Sequence, residues 1–396
     1  MMQISPETQL FIREHSSDDV RALALQAKKF PDIDMPTAIT QIAGRKVAAE
    51  KIPSWWEIEK IWYPKHLSLE QCSSEITARY KARLLQGDSL TDLTGGFGID
   101  CSFLATGFKS ATYVERQEEL CEIAAHNFPV LNLNHINIKN EDGVTYLQAM
   151  SPVDCLFLDP ARRNEHGGKT VAISDCEPNV AELEELLLQK ANRVMIKLSP
   201  MLDLSLALKE LKQTQEVHIL SVNNECKELL ILLGQTSPTE ISSHCVNLST
   251  KGTQEEQHFV FTREQEQCSE CTYTDSLETY LYEPNASLLK AGAFRSIAAA
   301  YPVRKLHPNS HLYTSDTFIE NFPGRIFRIV NQCSFNKKEV KENLADLKKA
   351  NVTVRNFPAT VAELRKRIHL AEGGDTYLFA STLNNGQKVL IRCEKV

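Results

Sequence analysis

The chain has 396 residues, 42% hydrophobic and 24% charged, with a formal net charge of −7. That length exceeds one hydrophobic core, so two or more domains are expected, and the composition excludes the disordered, collagen-like and disulfide-framed classes. No apolar run reaches the roughly 18 residues that cross a bilayer, and the opening MMQISPETQLFIREHSSDD has no basic segment leading into an apolar one. Membrane insertion and a secretory leader are therefore not expected, and the cytoplasm is the expected compartment. The eleven cysteines are scattered and odd in number, as reduced thiols are. Only Cys268 and Cys271 have ligand-like spacing, and without a second pair or a histidine partner they give no expected metal site. The charge is unevenly spread. Residues 321–396 hold 14 Lys and Arg against 7 Asp and Glu, a net of +7 that leaves −14 for residues 1–320.

In chain order, residues 5 to about 85 read as helices. SSDDVRALALQAKKF has a Ser/Asp cap before its apolar positions, and DMPTAITQIAGRKVAAEKI has a proline at an early helical position. SLEQCSSEITARYKARLLQG predicts one further helix, from Ser68 to a stop at Gly87.

From Ser89 short apolar strands alternate with helices of about ten residues. The predicted strands are SLTDLT, SATYVE ending at Glu115, HINIKNED ending near Asp142, DCLFLD ending at Asp159, RVMIKLS, EVHILSV and ELLILLG. Helices are expected from Ile99, over 117–127, 179–190 and 202–211. This alternation predicts a mostly parallel α/β sheet, whose ligands bind at the carboxyl ends of the strands. SHCVNLS and QHFVFTRE predict a hairpin or a last sheet edge, and EQEQCSECTYTDSLE a polar linker. Beyond it, a small mixed element runs to about Ile319. The remainder, with helices over 337–349 and 360–370, predicts a βαβαββ module.

The densest chemistry lies in LTDLTGGFGIDCSFLA, Leu90 to Ala105. A strand followed by Gly-x-Gly before a helix lets backbone approach a ligand closely. Gly95, Gly96 and Gly98 lack the third spaced glycine of a dinucleotide fold, and no Lys-Ser or Lys-Thr follows as in a phosphate loop. What the stretch has is Asp92, in the pattern Asp92-x-Thr94-x-Gly96-x-Gly98. A carboxylate there repels a pyrophosphate and suits a ligand with an amino group and a positive sulfur, as in S-adenosylmethionine. Glu115 is placed to accept from ribose hydroxyls, Asp142 from an adenine amino group, and Asp159 lies where a methyl group would leave. Each acid taken alone is equally a helix cap; four in register with one glycine loop form the candidate site.

On these residues the sequence resembles the class I S-adenosylmethionine-dependent methyltransferases, with DLTGGFG as cofactor loop, Glu115 as ribose acid and DPARR as the motif after the fourth strand. Further on, YEPNASLLKAGAF, LYTSDTF and the stretch from Ile326 through VRNFPATVAELRKRI to KVLIRCEKV resemble bacterial methyltransferases with a small ferredoxin-like insert and a C-terminal THUMP-like domain. The resemblance implies an α/β fold with a Rossmann-like methyltransferase sheet, an N-terminal helical cap and a C-terminal α+β module. The implied domains are a helical region over 1–85, a cofactor-binding methyltransferase domain over 86–270, a ferredoxin-like domain over 271–320 and a THUMP-like domain over 321–396. It implies S-adenosylmethionine as cofactor, RNA (tRNA or rRNA) as partner through the basic C-terminal domain, and no membrane or obligate protein partner. Asp92, Thr94, Gly95, Gly96, Gly98, Glu115, Asp142 and Asp159 are the expected cofactor residues, and Asp159, Pro160 and Arg162 the expected catalytic ones.

The tetrapeptide after the fourth strand departs from Asp/Asn-Pro-Pro-aromatic, because Ala161 and Arg162 replace the second proline and the stacking ring. A guanidinium plane stacks on a base or binds phosphate, so a nucleic-acid target is retained. Arg163, His166 and Lys169 follow in a loop of expected polar contributors. Carbon methylation of uracil needs a cysteine nucleophile; Cys155 falls inside a strand and Cys176 is better placed. Lys197 closes the fifth strand, to contact substrate or to pair with an acid. Two other readings remain open from sequence: a non-catalytic RNA-binding protein on the same scaffold, and a small-molecule or protein methyltransferase.

Overall fold

The computed structural model describes residues 4–162, 172–236, 238–250 and 256–396. Its internal contacts divide the chain into two compact units, Met1–Gln215 with Leu229–Pro238, and Glu216–Glu228 with Thr239–Val396.

The first unit opens with helices α1 (Pro6–Glu14), α2 (Val20–Leu25), α3 (Met35–Lys51), α4 (Pro53–Trp56), α5 (His66–Gln71) and α6 (Glu75–Ala82). Ser5, Asp19 and Asp34 cap α1, α2 and α3 by accepting from amides three residues on. The single helix expected from Ser68 to Gly87 is two helices. The break falls at Cys72–Ser74, where the backbone turns extended and the Ser73 side chain bonds elsewhere in the fold. Short polar side chains that find such partners compete with helical hydrogen bonding. Buried amides fix the chain between helices: Gln41 Nε2 donates to the Tyr63 carbonyl, Gln41 Oε1 accepts from its amide, and Asn127 does the same for Trp62.

Then strands and helices alternate as β1 (Ser89–Asp92), α7 (Ile99–Ala105), β2 (Ser110–Glu115), α8 (Glu118–Val130), β3 (Ile136–Asn140), α9 (Gly143–Ala149) and β4 (Val153–Leu158). A two-residue pair, β5 (Ala161–Arg162) and β6 (Cys176–Glu177), precedes α10 (Val180–Lys190), β7 (Ala191–Leu198) and α11 (Leu204–Glu210). The strands pair in parallel in the order β7-β4-β1-β2-β3. The chain runs outward from β1 to β3, then returns to β4 on the other side of β1. That reversal opens a crevice at the carboxyl ends of β1 and β4, where α/β sheets bind ligands. The central strands are apolar almost throughout, as sheets covered on both faces require.

The chain next makes a hairpin of β8 (Thr214–Val222) and β9 (Glu225–Gly234), closed by Asn223 and Asn224, both at positive φ of 51° and 67°, and β9 pairs antiparallel with β7. Two such residues make the turn whose twist matches that of paired strands. β10 (Ser242–Leu248) lies parallel to β8, and β11 (Glu256–Thr262) pairs antiparallel with β10. Part of the expected polar linker is instead a helix, α12 (Arg263–Cys268), because Thr262 and Gln265 exchange hydrogen bonds as a capping box. There follow β12 (Tyr280–Pro284), α13 (Ala286–Ala291), α14 (Ser296–Ala300), β13 (Arg304–Lys305) and β14 (Tyr313–Ser315). The C-terminal module is β15 (Gly324–Ser334), α15 (Lys337–Leu344), β16 (Asn351–Val354), α16 (Val361–Ile368), β17 (Thr376–Thr382) and β18 (Lys388–Lys395), the expected βαβαββ order. It joins one seven-stranded sheet in the order β13-β14-β12-β15-β18-β17-β16. In that sheet the buried Glu283 accepts from Arg325 and Arg355, two cations that compensate one desolvated carboxylate. All eleven cysteines are free, and no described helix is long and apolar enough to cross a membrane.

Candidate active site

The glycine loop begins where β1 ends. Gly95 N donates to the Val114 carbonyl and Gly98 N to the Gly95 carbonyl, folding the loop back over β2. Gly96 and Gly98 have φ of 55° and 87°, in the left-handed region that a side chain strains. Gly95 is required for a different reason: a Cβ there would lie 2.2 Å from the buried ring of Tyr113. The helical cap holds the loop from behind, with Trp55 edge-on to Phe97 at 5.2 Å and both in one cluster with Ile52, Tyr63 and Ile99.

Three expected acids meet this loop directly. Asp92 is 1% exposed; its Oδ1 accepts from Thr94 N at 2.9 Å, and its Oδ2 is buried with no hydrogen-bond partner. Burial, and then the nearby charges of Asp100, Asp159 and Glu115, push its pKa well above the carboxylate range, against the Thr94 bond. Glu115 accepts from Gly96 N at 2.9 Å and from Gln117 N at 2.8 Å, one bond to each oxygen. Each oxygen keeps a further lone pair. Asp159 follows β4, and its amide donates to Thr94 Oγ1 at 2.6 Å, so Thr94 ties the ends of β1 and β4 together.

Asp142 differs from the expectation. β3 stops at Asn140, and Asp142 is an exposed N-cap of α9 whose Oδ1 accepts from Val144 N, Thr145 N and Thr145 Oγ1. The helix start still approaches the loop, since a Cβ on Gly143 would lie 2.2 Å from the Leu93 carbonyl oxygen. Pro160 is buried and Ala161 exposed. The backbone of Arg162 pairs with Cys176 in the short β5–β6 ladder, while Arg163, His166 and Lys169 lie outside the described residues. Cys155 and Cys176 are both buried, and burial raises the Cys155 thiol to about 11, so Cys155 is no thiolate nucleophile at neutral pH.

A charge network joins the site that sequence reading did not assemble. Lys81 on α6 is fully buried, with its Nζ 2.9 Å from Asp100 Oδ1 and donating to Ser73 Oγ at 2.7 Å. Ser73 Oγ donates in turn to Asp100 Oδ2 at 2.7 Å. Lys197, at the end of β7, pairs with Asp159 and stands 3.8 Å from Asp100 Oδ2. Burial acts to raise Asp100, but Lys81 and Lys197 with the Lys81 and Ser73 hydrogen bonds outweigh it and hold the carboxyl below its ordinary value. For Asp159 burial outweighs Lys197, and its pKa is raised. The only signal for Lys81 was a lysine one turn after Ala78 on the buried face of its helix. Four carboxyl groups, Asp92, Asp100, Glu115 and Asp159, thus stand against two lysines, Lys81 and Lys197. The arrangement can accept a cation, and it presents an orphaned carboxylate oxygen to receive one.

Residues 280–323 match a ferredoxin-like domain model and residues 324–395 a THUMP domain-like model. A candidate methyltransferase from Porphyromonas gingivalis W83 is 34% identical over 100% of both chains, with a TM-score of 0.87. A candidate methyltransferase from Streptococcus mutans in complex with SAH is 14% identical, over 40% of this chain and 96% of that one, with a TM-score of 0.30. An rRNA methylase from Streptococcus thermophilus is 14% identical over 40% and 93%, also with a TM-score of 0.30. At those scores the two streptococcal likenesses carry no weight for this chain. No curated protein matches it.

Proposed function

The chain belongs to the class I S-adenosylmethionine-dependent methyltransferases that carry a small ferredoxin-like domain and a C-terminal THUMP-like domain, and we propose that it uses this cofactor to methylate RNA. The observation that carries the cofactor reading is Asp92 Oδ2, a buried oxygen without a partner, beside two glycines at positive φ and the carboxyl groups of Glu115 and Asp159. Those residues fit an ammonium and a sulfonium. When bound, S-adenosylmethionine supplies a methyl group activated by its positive sulfur.

Asp92 accepts from the cofactor's amino group, and that contact lowers its raised pKa by adding an opposite charge. Glu115 accepts from ribose hydroxyls with the lone pairs its two amide bonds leave free. Asp142 Oδ1 already serves the α9 cap, so only Oδ2 remains for an adenine amino group. Asp159 orients the acceptor by taking a hydrogen bond from it, and Lys197 fixes that carboxylate at the end of β4. The next residue, Pro160, is buried and its ring fixes φ there, which limits the conformations open to the strand end that must align the acceptor. RNA as acceptor rests on the THUMP-like match and on the +7 of residues 321–396, where Lys337, Lys338, Lys348, Lys349 and Lys366 are exposed.

The test is incubation with methyl-labelled S-adenosylmethionine and bulk cellular RNA, alongside calorimetry with S-adenosylhomocysteine. Nuclease-sensitive label and a single binding event support the reading. Label in protein or small molecules refutes the RNA assignment, and absence of S-adenosylhomocysteine binding by folded protein refutes the cofactor assignment.

A further inference from the structure

Within the second unit, three neighbouring strands bring imidazoles and a carboxylate onto one patch. Glu216 and His218 are two apart on β8, so they share a face of the sheet. His244 on β10 is the direct register partner of His218, and their rings stack with centroids 4.3 Å apart. Glu216, His218 and His244 each offer one ligand atom, all within 4.8 Å of one another. His258 on the adjoining β11 places its Nε2 3.1 Å from His244 Nδ1. His218 Nε2 lies 3.3 Å from Glu216 Oε2, and His244 Nε2 lies 3.0 Å from Ser242 Oγ.

From this juxtaposition we propose that Glu216, His218 and His244, completed by His258, form a site for one divalent transition-metal ion of the zinc class, which clips β8, β10 and β11 together. Two or three imidazoles with one carboxylate are a donor set for zinc, cobalt or nickel rather than for calcium or magnesium. Tetrahedral ligands at 2.0–2.1 Å from zinc stand about 3.4 Å apart, a distance the clustered atoms reach by small side-chain rotations. His218 is 2% exposed while His258 is exposed, so the site has one anchored ligand and an open side for ion entry. His244 lies between the other two imidazoles, its ring stacked on that of His218 and its Nδ1 facing His258 Nε2. With an Nε2 proton donated to Ser242 Oγ, His244 Nδ1 keeps its lone pair, the way protein groups outside a metal site orient a ligating imidazole.

The sequence spacing hides this cluster, because its members come from positions 216 to 258 and meet only through strand register. The site is independent of the methyltransferase reading. The experiment is titration of the full chain with cobalt(II), read by its visible spectrum, and with zinc(II), read by competition and by thermal melting. One equivalent of cobalt with a ligand-field spectrum and no thiolate charge-transfer band is expected, displaced by zinc. His244→Asn and His258→Asn should each weaken binding at least about tenfold, and Cys268→Ser/Cys271→Ser should change nothing. Zinc should raise the melting temperature of the parent and of the cysteine variant, and not that of His244→Asn. A charge-transfer band lost in the cysteine variant, binding indifferent to both histidine substitutions, or no binding at all would each overturn the proposal.

Discussion

Lys81→Met is the sharpest probe of how the site is supported. The substitution nearly conserves volume and removes only the ammonium that stands 2.9 Å from Asp100 Oδ1, at a side chain with no exposure. At an effective dielectric of 20 that attraction is about 6 kcal/mol. Removing the ammonium also removes its desolvation cost of a few kcal/mol, which leaves a net loss of about 3 kcal/mol. Lys197, at 3.8 Å, stays as the second cation and prevents a larger loss. Urea denaturation of Lys81→Met, Asp100→Asn and the double variant measures this, and the double variant should be less destabilised than the summed singles by about 2 kcal/mol. The pH dependence has a definite sign. Asp100 has a folded pKa below its ordinary 3.8, so its contribution is present above pH 3.8 and is lost as pH falls through the lower folded value. Lys81→Met should therefore narrow the stability difference from the parent protein on acidification below pH 3.8. A loss under about 1 kcal/mol, or strict additivity in the cycle, would refute the claim that this buried pair supports the loop.

Asp92→Asn should separate stability from binding. The raised Asp92 costs stability as pH climbs above its ordinary 3.8, so the uncharged variant should be about 1 kcal/mol more stable at pH 7 by urea denaturation and lose S-adenosylhomocysteine binding by calorimetry. Glu115→Ala strands the Gly96 and Gln117 amides and should weaken that binding about 10- to 100-fold while the protein stays folded by circular dichroism. Gly95→Ala drives a methyl group into Tyr113 and should lower stability by about 2 kcal/mol in thermal or urea melts. Replacing Lys337, Lys338, Lys348, Lys349 and Lys366 by glutamate should reduce RNA affinity roughly tenfold or more and flatten its salt dependence, leaving S-adenosylhomocysteine binding unchanged in the same sample.

Where local chemistry decides structure, the sequence was legible. SATYVE ends at Glu115 as its pattern predicts, α10 covers 180–190 of the expected 179–190, and the βαβαββ order of the C-terminal module follows from its alternating apolar runs. The glycine loop was visible because only glycine tolerates the φ of Gly96 and Gly98. Asp142 was read at the end of a strand and is the cap of a helix, since the same residue type serves both and local sequence does not separate them. CSS within the third predicted helix was read as continuous, because the break there is set by a distant carboxylate that accepts from Ser73.

The sequence by itself determined the parallel α/β sheet, the glycine loop and three of the acids around it, because these follow from period, propensity and backbone sterics within a few residues. Only the tertiary structure decided that Lys81, Ser73 and Asp100 meet Lys197 and Asp159, and that three histidines from three strands converge. Such groupings depend on strand order and register, which bring together residues from separate strands and helices, and on burial, which makes an unmatched charge too costly to leave alone.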